Sequence, residues 1–180
     1  LCPIGRLDKD TSGLILIAKN KYAAQQLERQ RANHTLSRVY LALAEGHWTN
    51  QSKSGLIDRP IEKVPECFNR YQVADTGRPS RTEYEVLSEF TYEETPFSLV
   101  RLKLQTGRTH QIRVHMASLS HPLLGDSIYG HEGFLGFDRA ALHSFEITCQ
   151  LPGHQDLAVF SSEMPEDFQK MIAKSINFSS

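Results

Sequence analysis

The chain has 180 residues, 39% of them hydrophobic, which suffices for one core and favours a single domain over residues 1–180. A net charge of −1 and a pI near 6.8 rule out a globally basic nucleic-acid binder, so any basic footprint must be local. No apolar stretch approaches the roughly 20 residues that span a bilayer, and no targeting sequence opens the chain, which gives a cytoplasmic expectation. Three cysteines, Cys2, Cys67 and Cys149, lack any C-x-x-C spacing and argue against a disulfide framework or a zinc site.

In chain order, a polar stretch from Arg6 to Ser12 precedes a short apolar run, Gly13 to Lys19, that reads as a buried strand. Asn20 can cap a helix from Lys21 to about Asn33, with Ala23, Ala24 and Leu27 at helical spacing. Arg38 to Glu45, Thr82 to Glu89 and Phe97 to Thr106 read as strands, the second through the alternation of Tyr84 and Val86. After the Gly107 turn the spacing of Ile112, Met116 and Leu119 predicts a helix capped by Thr109. Two strands, Ala141 to Cys149 and Leu157 to Phe160, precede a last helix that starts at Pro165-Glu-Asp, with acids at the positive end of its dipole. No repeat or linker interrupts the series, and the fold class is α+β with a mixed, largely antiparallel central sheet flanked by helices and loops.

Several chemistries compete for these residues. Asp8 and Asp10 form a D-x-D pair like that of haloacid-dehalogenase phosphatases, but there an apolar strand comes before the first aspartate, whereas here it follows. A plain polar turn with Asx-type hydrogen bonds fits the same stretch. His110 and His115 are five apart, not four as in zinc helices, so no metal site is expected. Neither G-x-S-x-G nor a P-loop occurs. Tyr40 in mid-strand is by default core, and Arg113 by default a surface charge. Together, an aspartate, a strand tyrosine and a helix arginine from three elements can converge on one cleft.

That combination resembles the RluA-type family of RNA pseudouridine synthases. Gly5-Arg-Leu-Asp-Lys-Asp-Thr-Ser-Gly13 matches the family's H-R-L-D-x-x-T-S-G in all but its first residue. Arg38-Val-Tyr-Leu-Ala-Leu-Ala-Glu-Gly46 is similar to the K-x-Y-x-A-x-V-x-G strand, and Leu104-Gln-Thr-Gly-Arg-Thr-His-Gln-Ile-Arg-Val-His-Met116 with Ser120-His-Pro-Leu-Leu-Gly-Asp-Ser-Ile-Tyr-Gly130 to the third signature. Gly5 in place of histidine is also seen in the RsuA-type branch, but that branch reads R-Q-I-R-R-M where this chain has Arg108-Thr-His-Gln-Ile-Arg-Val-His115.

The resemblance implies the pseudouridine synthase catalytic fold and isomerisation of uridines in structured ribosomal or transfer RNA, by a monomer needing neither cofactor nor metal. It puts Asp8 on the catalytic aspartate, Tyr40 under the flipped base, and Arg113 in an ion pair with Asp8 that lowers the carboxylate's pKa and fixes its orientation. Arg6, Thr11, Arg108, His110, Gln111 and Ile112 are implied to contact substrate, Arg6 by holding a phosphate or filling the space the base vacates. It also implies that an N-terminal part of the catalytic domain and any S4-like domain are missing before Leu1. An inactive relative or fragment that only binds structured RNA is the alternative.

Overall fold

The computed structural model describes residues 1–178. Its strands are β1 (Cys2–Ile4), β2 (Ser12–Gly13), β3 (Leu16–Ala18), β4 (Ser37–Glu45), β5 (Ser54–Asp58), β6 (Ile61–Lys63), β7 (Tyr71–Val73), β8 (Arg81–Tyr92), β9 (Thr95–Leu104), β10 (Leu142–Gln150) and β11 (Leu157–Ser161). Its helices are α1 (Lys21–Ala32), α2 (Gln111–Ser118) and α3 (Glu166–Phe178). The central sheet runs β11-β10-β4-β9-β8-β5 with every neighbouring pair antiparallel, and β2 adds a short parallel pairing to β10. The mixed, largely antiparallel α+β arrangement is therefore the one expected. None of the helices in the described residues is long and apolar enough to cross a membrane.

Strand β4 carries the core. Its alternating side chains go to opposite faces, Tyr40, Ala42 and Ala44 toward α2 and Leu41 and Leu43 toward α3. Both faces are covered, which is why the strand reads as an almost continuous apolar run. Val100 and Leu102 of β9 join Ile112 and Met116 of α2 on one side, while Phe97 and Leu99 join Phe168 and Met171 of α3 on the other. A third cluster packs Ile4, Ala18 and Leu27 against Ile147 and Cys149 of β10.

Strand β8 solves a parity problem. Tyr84 and Val86 pack on the α2 side but Phe90 and Tyr92 on the α3 side, although all four are even-numbered. The register shifts between Val86 and Ser88, so Leu87 is an extra residue in a β-bulge, and everything beyond it changes face.

Two sequence expectations shift. The run from Gly13 to Lys19 is two strands, because β2 lies along β10 while β3 turns away to pair with β1. Thr109 does not cap α2; His110 holds the position before the helix, with φ 56° and no side-chain cap, and the side chain of Gln111 instead takes the Arg108 amide. Asn20 does cap α1, accepting from Ala23 N at 2.8 Å. Strands β1, β5, β6 and β7 carry no periodic signal; in β5 only Ile57 is buried.

Gly13 sets where the β1–β2 loop sits. It has φ +99°, and a Cβ there would lie 2.2 Å from the Ser144 carbonyl oxygen, so only glycine lets β2 approach β10 this closely. Gly13→Ala should destabilise the fold by about 1–3 kcal/mol in urea titration, since both strain and a backbone clash oppose it. A loss within experimental error would mean that the β2–β10 contact yields freely.

Candidate active site

The β1–β2 loop reaches β10 as a braced turn. Thr11 N donates to Asp8 O at 3.0 Å, Arg139 Nη1 donates to Asp10 O at 3.1 Å, and Leu14 N donates to Ser144 O at 2.9 Å. Ser12 Oγ and His143 Nδ1 are hydrogen-bonded at 2.8 Å, and His143 Nε2 meets Ser162 Oγ at 2.8 Å. Burial pushes the His143 pKa down, so the ring remains neutral within this chain of bonds.

The braced turn faces a cavity of about 350 Å³. Of the residues expected at a site, Arg6, Asp8, Thr11, Tyr40, Arg108, Gln111 and Ile112 line it. The Asp8 carboxylate forms no hydrogen bond or ion pair among the described residues and is the open acid of the cavity. Tyr40, between Ser144 of β10 and Leu102 of β9, is buried below it. Burial raises the phenol's pKa, Arg38 opposes that rise, and the Asp8 charge adds to it; the hydroxyl therefore keeps its proton at neutral pH.

Gln111 lines the cavity but spends its amide on the fold. Its Oε1 accepts from Thr106 Oγ1 at 2.8 Å and Arg108 N at 3.0 Å, and its Nε2 donates to Arg81 O and Thr82 Oγ1. It fixes the loop that presents Arg108. His110 stands behind the wall, bonded through Nδ1 to Tyr129 Oη at 2.9 Å, and burial depresses its pKa. Tyr129 Oη also accepts from Tyr71 N at 2.9 Å, while burial pushes its own pKa up to about 12.

Arg113 corrects the expected pairing. Its Nε and Nη2 fork onto Asp126 at 2.6 and 2.5 Å, not onto Asp8. Asp126 is fully buried and also accepts from Ile128 N at 3.0 Å and Tyr129 N at 3.1 Å. A carboxylate without solvent needs a cation at hydrogen-bonding distance, whereas Asp8 on its loop keeps partial access to water. Burial works against the Arg113 charge, Asp126 more than compensates, and Asp8 contributes from farther off, so the guanidinium is the fixed cation behind the open acid.

Sequence reasoning did not single out Asp126, Tyr129, His143 or Arg38. The first two lie in the Gly125-Asp-Ser-Ile-Tyr-Gly130 stretch, whose turn composition concealed a buried carboxylate, and Arg38 stands two residues before Tyr40. Among the described residues, no cluster of three or more His, Cys, Asp or Glu is placed to hold a metal ion.

Residues 1–118, which carry the loop, the tyrosine strand and the arginine helix, match the family model described as RNA pseudouridylate synthase. The chain belongs to that family. The RluA-type pseudouridine synthases similar to it include ribosomal large subunit pseudouridine synthase D of Nitrosomonas europaea, 37% identical over 177 residues, covering 94% of this chain and 49% of that protein. The uncharacterised RNA pseudouridine synthase YhcT of Bacillus subtilis is 40% identical over 168 residues, covering 93% and 54%. The chain thus spans about half the length of these curated relatives. Among solved structures, human RNA pseudouridylate synthase domain containing 1 superposes with a TM-score of 0.76 at 31% identity, over 90% of this chain and 68% of that one. The pseudouridine synthase fold expected from the motifs is therefore the fold observed.

Two measurements test this machinery. Asp126→Asn leaves Arg113 without its counter-charge and should cost about 3–5 kcal/mol in denaturant titration; a cost below about 1 kcal/mol would mean that Arg113 finds Asp8 instead. His115, bonded to Thr82 Oγ1 and Arg59 O, is buried, and its pKa is lowered from 6.5. The unfolded chain therefore takes up its proton first as pH falls, so this stability is complete above about 6.5 and is lost below it. His110 and His143 shift the same way. The melting temperature should fall between about pH 7.5 and 5.5, and less steeply in His115→Gln.

Proposed function

We propose that this chain is the catalytic unit of an enzyme that isomerises uridine to pseudouridine in structured RNA, ribosomal RNA first, in the cytoplasm. The observation that carries this reading is the unpaired Asp8 carboxylate in a cavity with Tyr40 beneath it and Arg6 and Arg108 at its walls. Support for ribosomal RNA comes from the names of the large-subunit relatives.

The reaction breaks the bond between C1′ and N1, turns the freed uracil and joins C1′ to C5, with no net redox change. Asp8 acts either by attacking C1′ or by removing the C2′ proton, and in both routes it must be ionised and unencumbered. Arg113, held by Asp126, contributes a fixed positive charge behind it without occupying its oxygens. The target base enters by flipping out of a loop or bulge, where unstacking costs least. Tyr40 offers the flipped base a buried aromatic face and a neutral hydroxyl near the C5 proton that must leave. Arg6 and Arg108 engage the backbone, and Thr11 and Ile112 complete the wall.

Tritium release from RNA labelled at uridine C5, taken from cells lacking this protein, tests the reading. Release by the full protein should persist in EDTA and fall at least about 10³-fold in Asp8→Asn, since the group removed makes or breaks the reacting bond. Absence of release from folded parent protein would leave an RNA-binding relative without turnover.

A further inference from the structure

The cleft arginines are not equivalent. Arg113 is spent on Asp126, Arg31 bonds Glu28 at 2.6 Å, and Arg108 Nε leans on the Pro79 carbonyl at 3.3 Å. Arg38 is different. It lines the cavity from β4, on the same face as Tyr40, and no carboxylate forms an ion pair with it among the described residues. Its guanidinium lies against the Tyr40 hydroxyl, a neutral partner, while its Nε is buried without a hydrogen-bond partner. A half-buried cation left without a counter-charge carries an unrecovered desolvation cost, which an anion entering from the cavity would offset.

Two glycines frame the end of this side chain. A Cβ on Gly107 would lie 2.9 Å from Arg38 Nη2, and one on Gly5 would lie 3.8 Å from Nη1. Gly5 belongs to the loop that carries Asp8, and Gly107 to the turn that carries Arg108, so the guanidinium spans the gap between the two walls of the cavity. A side chain at 107 would have to displace it. The gap is open because neither wall puts a side chain there.

We propose that Arg38, framed by Gly5 and Gly107, is the anion subsite that holds an RNA backbone phosphodiester beside the target uridine. The inference rests on the reading of the chain as an RNA-modifying enzyme, and gives that site a specific phosphate clamp. A planar fork suits two phosphate oxygens, and its position at the junction of both walls fixes the strand where the base must turn inward. The subsite positions the strand and makes no bond to the reacting carbon.

The test measures binding of an unmodified transcript of bacterial large-subunit ribosomal RNA to the full protein across a salt series, alongside steady-state tritium release. Each phosphate neutralised contributes about 0.7 to the slope of log K against log salt for a single strand and about 0.9 for a duplex. Arg38→Gln should reduce the slope by about that amount and place its kinetic loss mainly on KM, whereas Arg38→Lys should retain the slope. Gly107→Ala, which keeps Arg38 and its charge but presses on the guanidinium, should weaken binding without unfolding the protein, and it decides the case if Arg38→Gln fails to fold. An unchanged slope in Arg38→Gln, or a loss confined to kcat, would overturn the proposal and assign Arg38 to Tyr40 or the base. Unaltered binding by Gly107→Ala would overturn it as well. A slope loss in a protein that releases no tritium would preserve the subsite and refute the catalytic reading instead.

Discussion

The close approach of Gly13 to Ser144 is the constraint on which the cleft depends. Strand β2 is only two residues long, and a pair of backbone contacts with a parallel neighbour holds little by itself. What makes the contact rigid is its redundancy. The glycine admits the backbone, Ser12 ties into His143, and Arg139 takes the Asp10 carbonyl. A carboxylate carried on an unsupported loop would sample many positions; here its turn is attached to the same strand that flanks Tyr40, so acid and aromatic ring are positioned by one sheet.

Charge is then arranged in layers. The deepest layer is the Arg113–Asp126 pair, internally compensated and satisfied by two backbone amides. Such a pair adds little to net stability but is costly to break, so it fixes geometry more than it strengthens the fold. The next layer is Asp8, a negative group with no partner of its own. The outermost is the group of arginines on the cavity wall. With a chain close to neutral, the positive potential at the cavity comes from where these arginines are placed and not from their number.

The sequence made much of this legible, for identifiable reasons. Strand β4 and helix α1 were readable because period and cap agree with burial, and the meeting of Asp8 and Tyr40 at one cavity because their motifs stand at fixed offsets from those elements. Arg113 was placed on the correct helix but with the wrong partner. Choosing between Asp8 and Asp126 requires knowing which carboxylate is cut off from water, and that is a property of three-dimensional packing. Of the two neighbours in the polar motif, His110 lies behind the cavity wall and buttresses Tyr129, whereas Gln111 lines the cavity and also closes a loop. The short strands were invisible because two or three residues carry no period, and the capping role of Thr109 failed because the chain turns through a left-handed His110 first.

The bulge at Leu87 has a consequence for how this chain can vary in length. One strand serves the cleft with Tyr84 and Val86 and the opposite core with Phe90 and Tyr92, and the change of side is accomplished by a single surplus residue. Deleting it would send both aromatic rings to the wrong layer while leaving every amino-acid type intact, an error of phase and not of composition. In the β6–β7 hairpin, by contrast, the connection from Val64 to Arg70 is largely exposed, with Phe68 at 96%, and pays no such penalty for added or lost residues. Change of length is therefore open to the segment at the molecule's margin and closed to the strand whose residue count keeps two cores in step.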